Sequence, residues 1–191
     1  GDLDRCRDRM SIEGRMGGTQ SRWALAQADI LELPFDDSTF DLVVCAEVLE
    51  HILDHAKAVS ELFRVLKPGK CLAVSVPRFF PERLCWAFSK AYCSASGGHL
   101  RIYRERELCR LLSGCGFTMC RRGYAHALHT PYWWLKCLMD AGRDPAWPLV
   151  LYHRLLVWDM MKKPWITRTL ERLLNPLLGK SVVFYLRKEA T

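Results

Sequence analysis

The chain has 191 residues, 50% of them hydrophobic and 26% charged, with a formal net charge of +7. That size and balance fit one soluble globular domain with a sizeable core. Nine cysteines, an odd number with no C-x2-C spacing and several of them inside apolar runs, read as buried reduced thiols of a cytosol and exclude a disulfide framework or a cysteine zinc site. No apolar run reaches the length of a membrane span, and the opening GDLDRCRDRM is too charged for a signal peptide.

In chain order, RCRDRMSIEGRM reads as a short helix closed by Gly17 and Gly18, and WALAQADI as a strand ending at Asp29. LPFDDSTF is a turn, since Pro34, Asp36, Asp37 and Ser38 all favour bends. DLVVCA is a short, valine-rich apolar run, the pattern of a strand covered on both faces. Asp54 caps a helix AKAVSELFRVL, whose Ala58, Leu62, Val65 and Leu66 recur at helical spacing and which stops at KPGK. CLAVSVP is the next buried strand, RERELCRLLSGCGF an amphipathic helix closed by Gly114 and Gly116, and TMCRRGYAHA a further strand. The stretch 129–180 reads as three short helices, with Thr130-Pro131, Asp144-Pro145 and Lys163-Pro164 near their starts, before a last strand SVVFYLRK. Strands alternating with helices imply a largely parallel sheet with helices on both faces. Ligands of such sheets sit beyond the carboxyl ends of the strands.

The charge is unevenly spread. The whole excess of +7 falls after residue 120, where five of the seven tryptophans also lie. Such a mixture of basic and aromatic residues suits a membrane surface, an acidic partner or an ordinary solvated face.

Taken together and in order, ADILELPFDDSTFDLVVCAEVLEHI, ELFRVLKPGKCLAVSVP and GGHLRIYRERELCRLLSGCGF resemble the class I S-adenosylmethionine-dependent methyltransferases, in the group that includes the ubiquinone and menaquinone methyltransferases. The resemblance runs over roughly two-thirds of the chain, in a domain of ordinary size. It implies a Rossmann-like, mostly parallel α/β sheet in a single domain over 1–191, with 129–180 a helical insertion before the last strand. It also implies methyl transfer from S-adenosyl-L-methionine in a cytoplasmic or membrane-peripheral enzyme. The family's glycine-rich loop, GxGxG after its first strand, has no counterpart here, so the chain is expected to begin at the end of the family's second strand and to lack half of the cofactor site.

Within the resemblance, Asp2 or Asp4 would hold the cofactor's ribose hydroxyls. Asp29 would take the adenine amino group, Ile30 would cover its ring, and Ala46 and Glu47 would line the methionine end. A plainer reading of Asp29 is the start of a turn. Methyl transfer to oxygen or nitrogen needs positioning and, for a hydroxyl or phenol, a base. His51 is the first candidate base, since histidine's unperturbed pKa lies near working pH, and Glu50-His51 is similar to the Glu-His pair of the cyclopropane fatty acid branch. His99 is the second, and Glu50, Arg101 and Tyr103 would contact substrate beside it; a loop tied down by hydrogen bonds is the plainer reading of HLRIY. The insertion would cover the substrate opening, with Trp133 and Trp134 lining a pocket for a quinone precursor, isoprenoid, phenol or glycolipid. Its plainer reading is a small helical core packed on the sheet. A nucleic-acid methyltransferase and a non-catalytic interaction module with the same fold are the alternatives. The basic residues are spread among apolar helical positions and no Asn-Pro-Pro-Tyr motif appears, so no nucleic-acid partner is expected.

Overall fold

In the computed structural model the described residues are 24–89, 98–139 and 147–190. The expected helix RCRDRMSIEGRM, and with it Asp2 and Asp4, lies outside them. In chain order the elements are β1 (Phe40–Ala46), a single 3-10 turn (Leu49–His51), α1 (His55–Val65), β2 (Leu66–Pro77), α2 (Phe79–Phe88), α3 (Glu105–Gly114), β3 (Phe117–Ala125), α4 (His129–Met139), α5 (Trp147–Lys162), α6 (Trp165–Leu178) and β4 (Ser181–Lys188). The strands form one sheet in the order β1-β2-β4-β3. β1 and β2 run parallel across the α1 crossover, and β4 enters between β2 and β3 antiparallel to both.

α1 starts where Asp54 accepts the Lys57 amide at 3.0 Å, satisfying one of the unpaired donors of the first turn. Its end is closed from a distance. The buried Lys188 on β4 donates its ammonium to the carbonyls of Phe63 (2.8 Å) and Leu66 (2.7 Å), a cation placed at the negative end of the helix. The chain then turns extended at Leu66, earlier than the KPGK signal suggests. β2 takes in Pro68 and Gly69 as an irregularity, so Phe40 pairs with Leu66 but Leu42 with Cys71. Gly116, at φ 94°, ends the α3 segment in the left-handed region, where a Cβ would also meet the Phe63 ring at 3.0 Å.

Leu72, Val74 and Val76 of β2 and Val182, Phe184 and Leu186 of β4 alternate onto one face of the sheet. There they meet Ala58, Val59 and Leu62 of α1 and Leu108 and Leu112 of α3. The opposite face of β1 is different. Leu42 and Val44 are 60% and 64% exposed, so among the described residues DLVVCA is covered on one face only, and the expectation of a strand buried on both is corrected. The strand expected over WALAQADI is also absent from its described part, where a lone bridge joins Asp29 to Glu32 across a turn. α2, over FFPERLCWAF, is a helix the sequence reading left out.

The three helices expected in 129–180 are α4, α5 and α6. α4 packs on α2, α5 on α4, and α6 on β3. The insertion therefore stands at the carboxyl end of the parallel pair, as expected. α6 nonetheless lies against β3, the edge strand farthest from β1.

Candidate functional site

The carboxyl end of β1 turns sharply. Glu47 holds φ 54°, a conformation costly for a residue with a side chain, while its amide extends the ladder to the Ser75 carbonyl at 3.0 Å. Its carboxylate accepts the Ser75 hydroxyl at 2.8 Å. The sharp turn carries the next residues over the top of the sheet. Leu49 plugs the core, and Glu50 follows it inward with no exposed surface.

Glu50 is the unusual member of this region. Neither carboxylate oxygen has a hydrogen-bond partner among the described residues. Burial pushes its carboxyl up to about 7; its own amide and His99 oppose the rise without hydrogen-bond geometry to either oxygen, and the nearby Glu47 and Glu82 add to it. His51 Nε2 stands 4.0 Å from Glu50 Oε1, and the rings of His51 and His99 meet edge to face with centroids 4.9 Å apart. His99 Nδ1 donates to Glu82 Oε1 at 2.5 Å, and Glu82, on α2, is itself buried. Burial works against the charged form of His99, yet the Glu82 hydrogen bond and the charges of Glu82 and Glu50 outweigh it, and its pKa is raised. Cys45, beneath the cluster, is no nucleophile, since burial and then Glu50 push its thiol up to about 12.

The loop bearing His99 is held by main-chain and side-chain bonds. Leu100 donates its amide to the Glu50 carbonyl at 2.9 Å, and His51 Nδ1 bonds the Gly98 carbonyl at 3.2 Å. Arg101, expected among the substrate contacts, instead donates to the Ile52 carbonyl at 2.5 Å and the Leu53 carbonyl at 2.9 Å. Tyr103 is 5% exposed, with its hydroxyl 2.7 Å from His55 Nδ1 and 3.3 Å from the Leu49 carbonyl. Both residues tie the loop down, which is the plainer of the two sequence readings. His55, whose pKa is lowered by burial and by Arg101, belongs to the same tie and was not picked out in the sequence.

Asp29 and Ile30 belong to the turn that precedes β1. One Asp29 carboxylate oxygen accepts the Leu31 amide at 2.9 Å and closes its turn. Ile30 lines a depression of about 370 Å³ against the open face of β1, with Leu42, Val44 and Val48 among its walls. Ala46 is exposed at the strand end. Arg64 on α1 anchors the turn by donating to the Leu33 and Phe35 carbonyls and to Glu61, whose carboxyl it holds down at about 2.

Trp133 and Trp134 part company. Trp134 Nε1 donates to the Pro81 carbonyl at 3.0 Å and packs edge to face on Phe80, joining α4 to α2. Trp133 lies between two ammonium groups, Lys136 at 4.9 Å and Lys180 at 4.6 Å from its ring. Glu82, the residue that orients His99, was missed because its helix was missed. Pro81 and Glu82 in the first turn of FFPERLCWAF were the available signal.

Against known proteins, residues 4–74 match the family model described as "Methyltransferase domain". The chain is 34% identical over 94 residues to cycloartenol-C-24-methyltransferase 1 of Oryza sativa subsp. japonica, covering 49% of this chain and 25% of that protein. It is 43% identical over 63 residues to the ubiquinone/menaquinone biosynthesis C-methyltransferase UbiE of Idiomarina loihiensis, covering 33% of this chain and 24% of that one. The alignments thus span about a quarter of each relative's length. Among solved structures, a Bacillus halodurans protein designated a methyltransferase superposes with a TM-score of 0.56 at 20% identity, over 95% of this chain and 77% of that one. The cyclase SpnF superposes with a TM-score of 0.53 at 21% identity, over 93% and 61%. At these identities the structures speak for the fold alone. Residues 4–74 thus match a methyltransferase domain, the sequence relatives are methyltransferases, and the sheet is shared with the solved structures, so the chain is similar to the S-adenosylmethionine-dependent methyltransferases.

Proposed function

We propose that the protein transfers the methyl group of S-adenosylmethionine to a small-molecule or lipid-like acceptor at the carboxyl ends of β1 and β2. The observation that carries this reading is the cluster of Glu50, His51 and His99, set at the strand end where ligands of such sheets bind. The described residues suit the cofactor in kind: Ile30 offers an apolar wall, Asp29 an exposed carboxylate, and Glu47 and Ala46 a sharp turn at the end of β1. S-adenosylmethionine supplies an electrophilic methyl group on a sulfonium sulfur. The chain's share is to hold the acceptor in line and to take its proton. His51, 36% exposed at its side chain, faces solvent at the mouth of the cluster, and His99, held by Glu82, stands behind it. In the step proposed, an acceptor oxygen or nitrogen forms the bond to the methyl carbon as the sulfur–carbon bond breaks, and its proton passes to one of these imidazoles.

The names of the sterol and quinone relatives support a lipid-like acceptor. So does the outer surface of the insertion. α6 has no buried residue, and Ile166, Leu170, Leu173 and Leu177 recur at helical spacing along one exposed face, with Trp165 beside them. Arg168 and Arg172 are exposed on the opposite side of the same helix, whereas Asp159 is buried and bonded to Thr167. An apolar stripe with an aromatic residue beside it and arginines on the polar side is the pattern of a helix lying on an anionic membrane surface, and that is the partner proposed for it. The reading is tested by incubating the protein with methyl-labelled S-adenosylmethionine and separate quinone-precursor, sterol, phenol and glycolipid acceptors. Label in one of these products is expected; label in none of them, with the cofactor bound, would turn the reading toward a non-catalytic module.

A further inference from the structure

α6 packs on β3 without burying any of its own residues fully, and several polar contacts attach it. Thr167, Glu171 and Asn175, spaced by about one helical turn, share its inward side. Thr167 donates to the Asp159 carboxylate of α5, and Asn175 Oδ1 accepts the Ala127 amide at 3.0 Å. Glu171, between them, has no such bond. Its side chain is 17% exposed, and its one ion-pair contact among the described residues is His126 Nδ1 at 4.0 Å, too long for a hydrogen bond.

Opposite Glu171 the chain leaves β3 and enters α4. His126 follows Ala125 at φ 65°, and its carbonyl accepts the His129 amide at 3.1 Å. The two rings meet edge to face, with centroids 5.2 Å apart. His129 Nδ1 is buried without a hydrogen-bond partner among the described residues. One ligating atom from each of His126, His129 and Glu171 lies within 4.8 Å of the other two. We propose that these three side chains bind a zinc-like divalent cation that ties α6 to the end of β3.

A carboxylate and an imidazole nitrogen drawn away from water without partners are costly, and one cation between them satisfies both. Burial keeps His129 neutral, the form a metal takes; of the two further charges acting on it, Lys180 opposes a cation and Asp159 favours one. Ligand atoms about 2.0 to 2.2 Å from a zinc-like ion stand about 3 to 4 Å from one another, so closure needs side-chain movement on the order of 1 Å. His126, 59% exposed at its side chain, is free to make it. Two imidazoles and one carboxylate suit Zn²⁺ or Co²⁺ better than Mg²⁺ or Ca²⁺, which prefer oxygen ligands only. Water at the exposed side of His126 would fill the remaining position. Because β3 is the edge strand farthest from β1, the site shares no residue with the Glu50 cluster, and its role is to fasten the insertion to the sheet.

The full chain, stripped of metal, is titrated with Co²⁺ alone at neutral pH, following visible absorption. The parent should take up about one more equivalent of Co²⁺ than protein carrying both His126→Asn and His129→Asn, and that ion should show a nitrogen/oxygen spectrum free of thiolate charge transfer. Asparagine tolerates the left-handed backbone at 126 and suits a helix start at 129. Glu171→Gln, which keeps the side chain's shape, should weaken uptake of the same ion at least tenfold. Zn²⁺ should displace the Co²⁺ and raise the melting temperature of the parent more than that of the double variant. Circular dichroism confirms that each preparation is folded. Equal Co²⁺ uptake by the parent and the double variant overturns the proposal, and so does parental affinity in Glu171→Gln.

Discussion

Replacing Glu50 with glutamine isolates the effect of one buried charge. Glu50 has no exposed surface and no hydrogen-bond partner for its carboxylate among the described residues, and burial first, then Glu47 and Glu82, pushes its carboxyl up to about 7. A carboxyl raised in the folded state contributes nothing adverse at low pH, where it is protonated whether the chain is folded or not. Stability then falls as pH rises from the ordinary carboxyl range to about 7, because the unfolded chain releases the proton first, and it levels off above that. Raising this pKa from 4.5 to about 7 corresponds to about 3 kcal/mol at pH 8. Glutamine has the same shape without the charge, so Glu50→Gln should gain on the parent as pH rises. An amide buried without partners offsets about 1 kcal/mol of that gain at every pH. The change between pH 4 and pH 8 in the stability difference should therefore approach 3 kcal/mol, or about 6 to 12 °C in melting temperature for a chain of this length. Thermal melts of both proteins across that range provide the measurement. A stability difference that does not vary with pH, or a parent that gains on the variant as pH rises, would refute the assignment of a costly buried charge to Glu50.

Further outcomes follow for the cofactor, the insertion and its outer face. Asp29→Ala should weaken S-adenosylmethionine binding by about 1 to 3 kcal/mol in calorimetry, the range for losing a hydrogen-bond partner in a bound complex; unchanged affinity would leave Asp29 only its turn with Leu31. Trp134→Ala should lower the melting temperature, since it removes the bond to Pro81 that joins α4 to α2, whereas Trp133→Ala, in protein that circular dichroism shows to be folded, should reduce acceptor affinity tenfold, about 1.4 kcal/mol. Replacing Leu170 and Leu173 with glutamate should abolish co-sedimentation with anionic vesicles without lowering the melting temperature, because both side chains are exposed; parent protein that stays in the supernatant would remove the membrane as partner for α6.

Strands followed by clear turn residues were legible, as were helices with a cap and a stripe. β4 occupies the residues read for it, and Asp54 caps α1 as its position suggested. The three insertion helices could be read from their prolines. The covering of β1 could not, because a run such as DLVVCA is equally apolar whether its second face meets protein or not. α2 escaped because FFPERLCWAF has no clean helical stripe and begins beside a proline. With it went Glu82, so His99 was picked out without the partner that orients it. Arg101 and Tyr103 alternate with Leu100 and Ile102 just as substrate-facing residues would. Only their bonds to Ile52, Leu53, Leu49 and His55 reveal that they fasten the loop. Glu50 and His51 were found by their position after a strand, but the orphaned state of Glu50 depends on which groups surround it in space.

The central claim is that the cluster at the end of β1 is where methyl transfer takes place. Its most direct test measures cofactor affinity and methyl transfer on the same preparations of the parent, His51→Gln and His99→Gln proteins, using methyl-labelled S-adenosylmethionine and the acceptor that takes up label. The predicted result is cofactor affinity close to the parent's, with turnover lowered by about 100-fold or more in at least one variant, as befits a group acting in the transition state. Turnover at the parent's rate in both variants would contradict the claim and place the chemistry elsewhere on the chain.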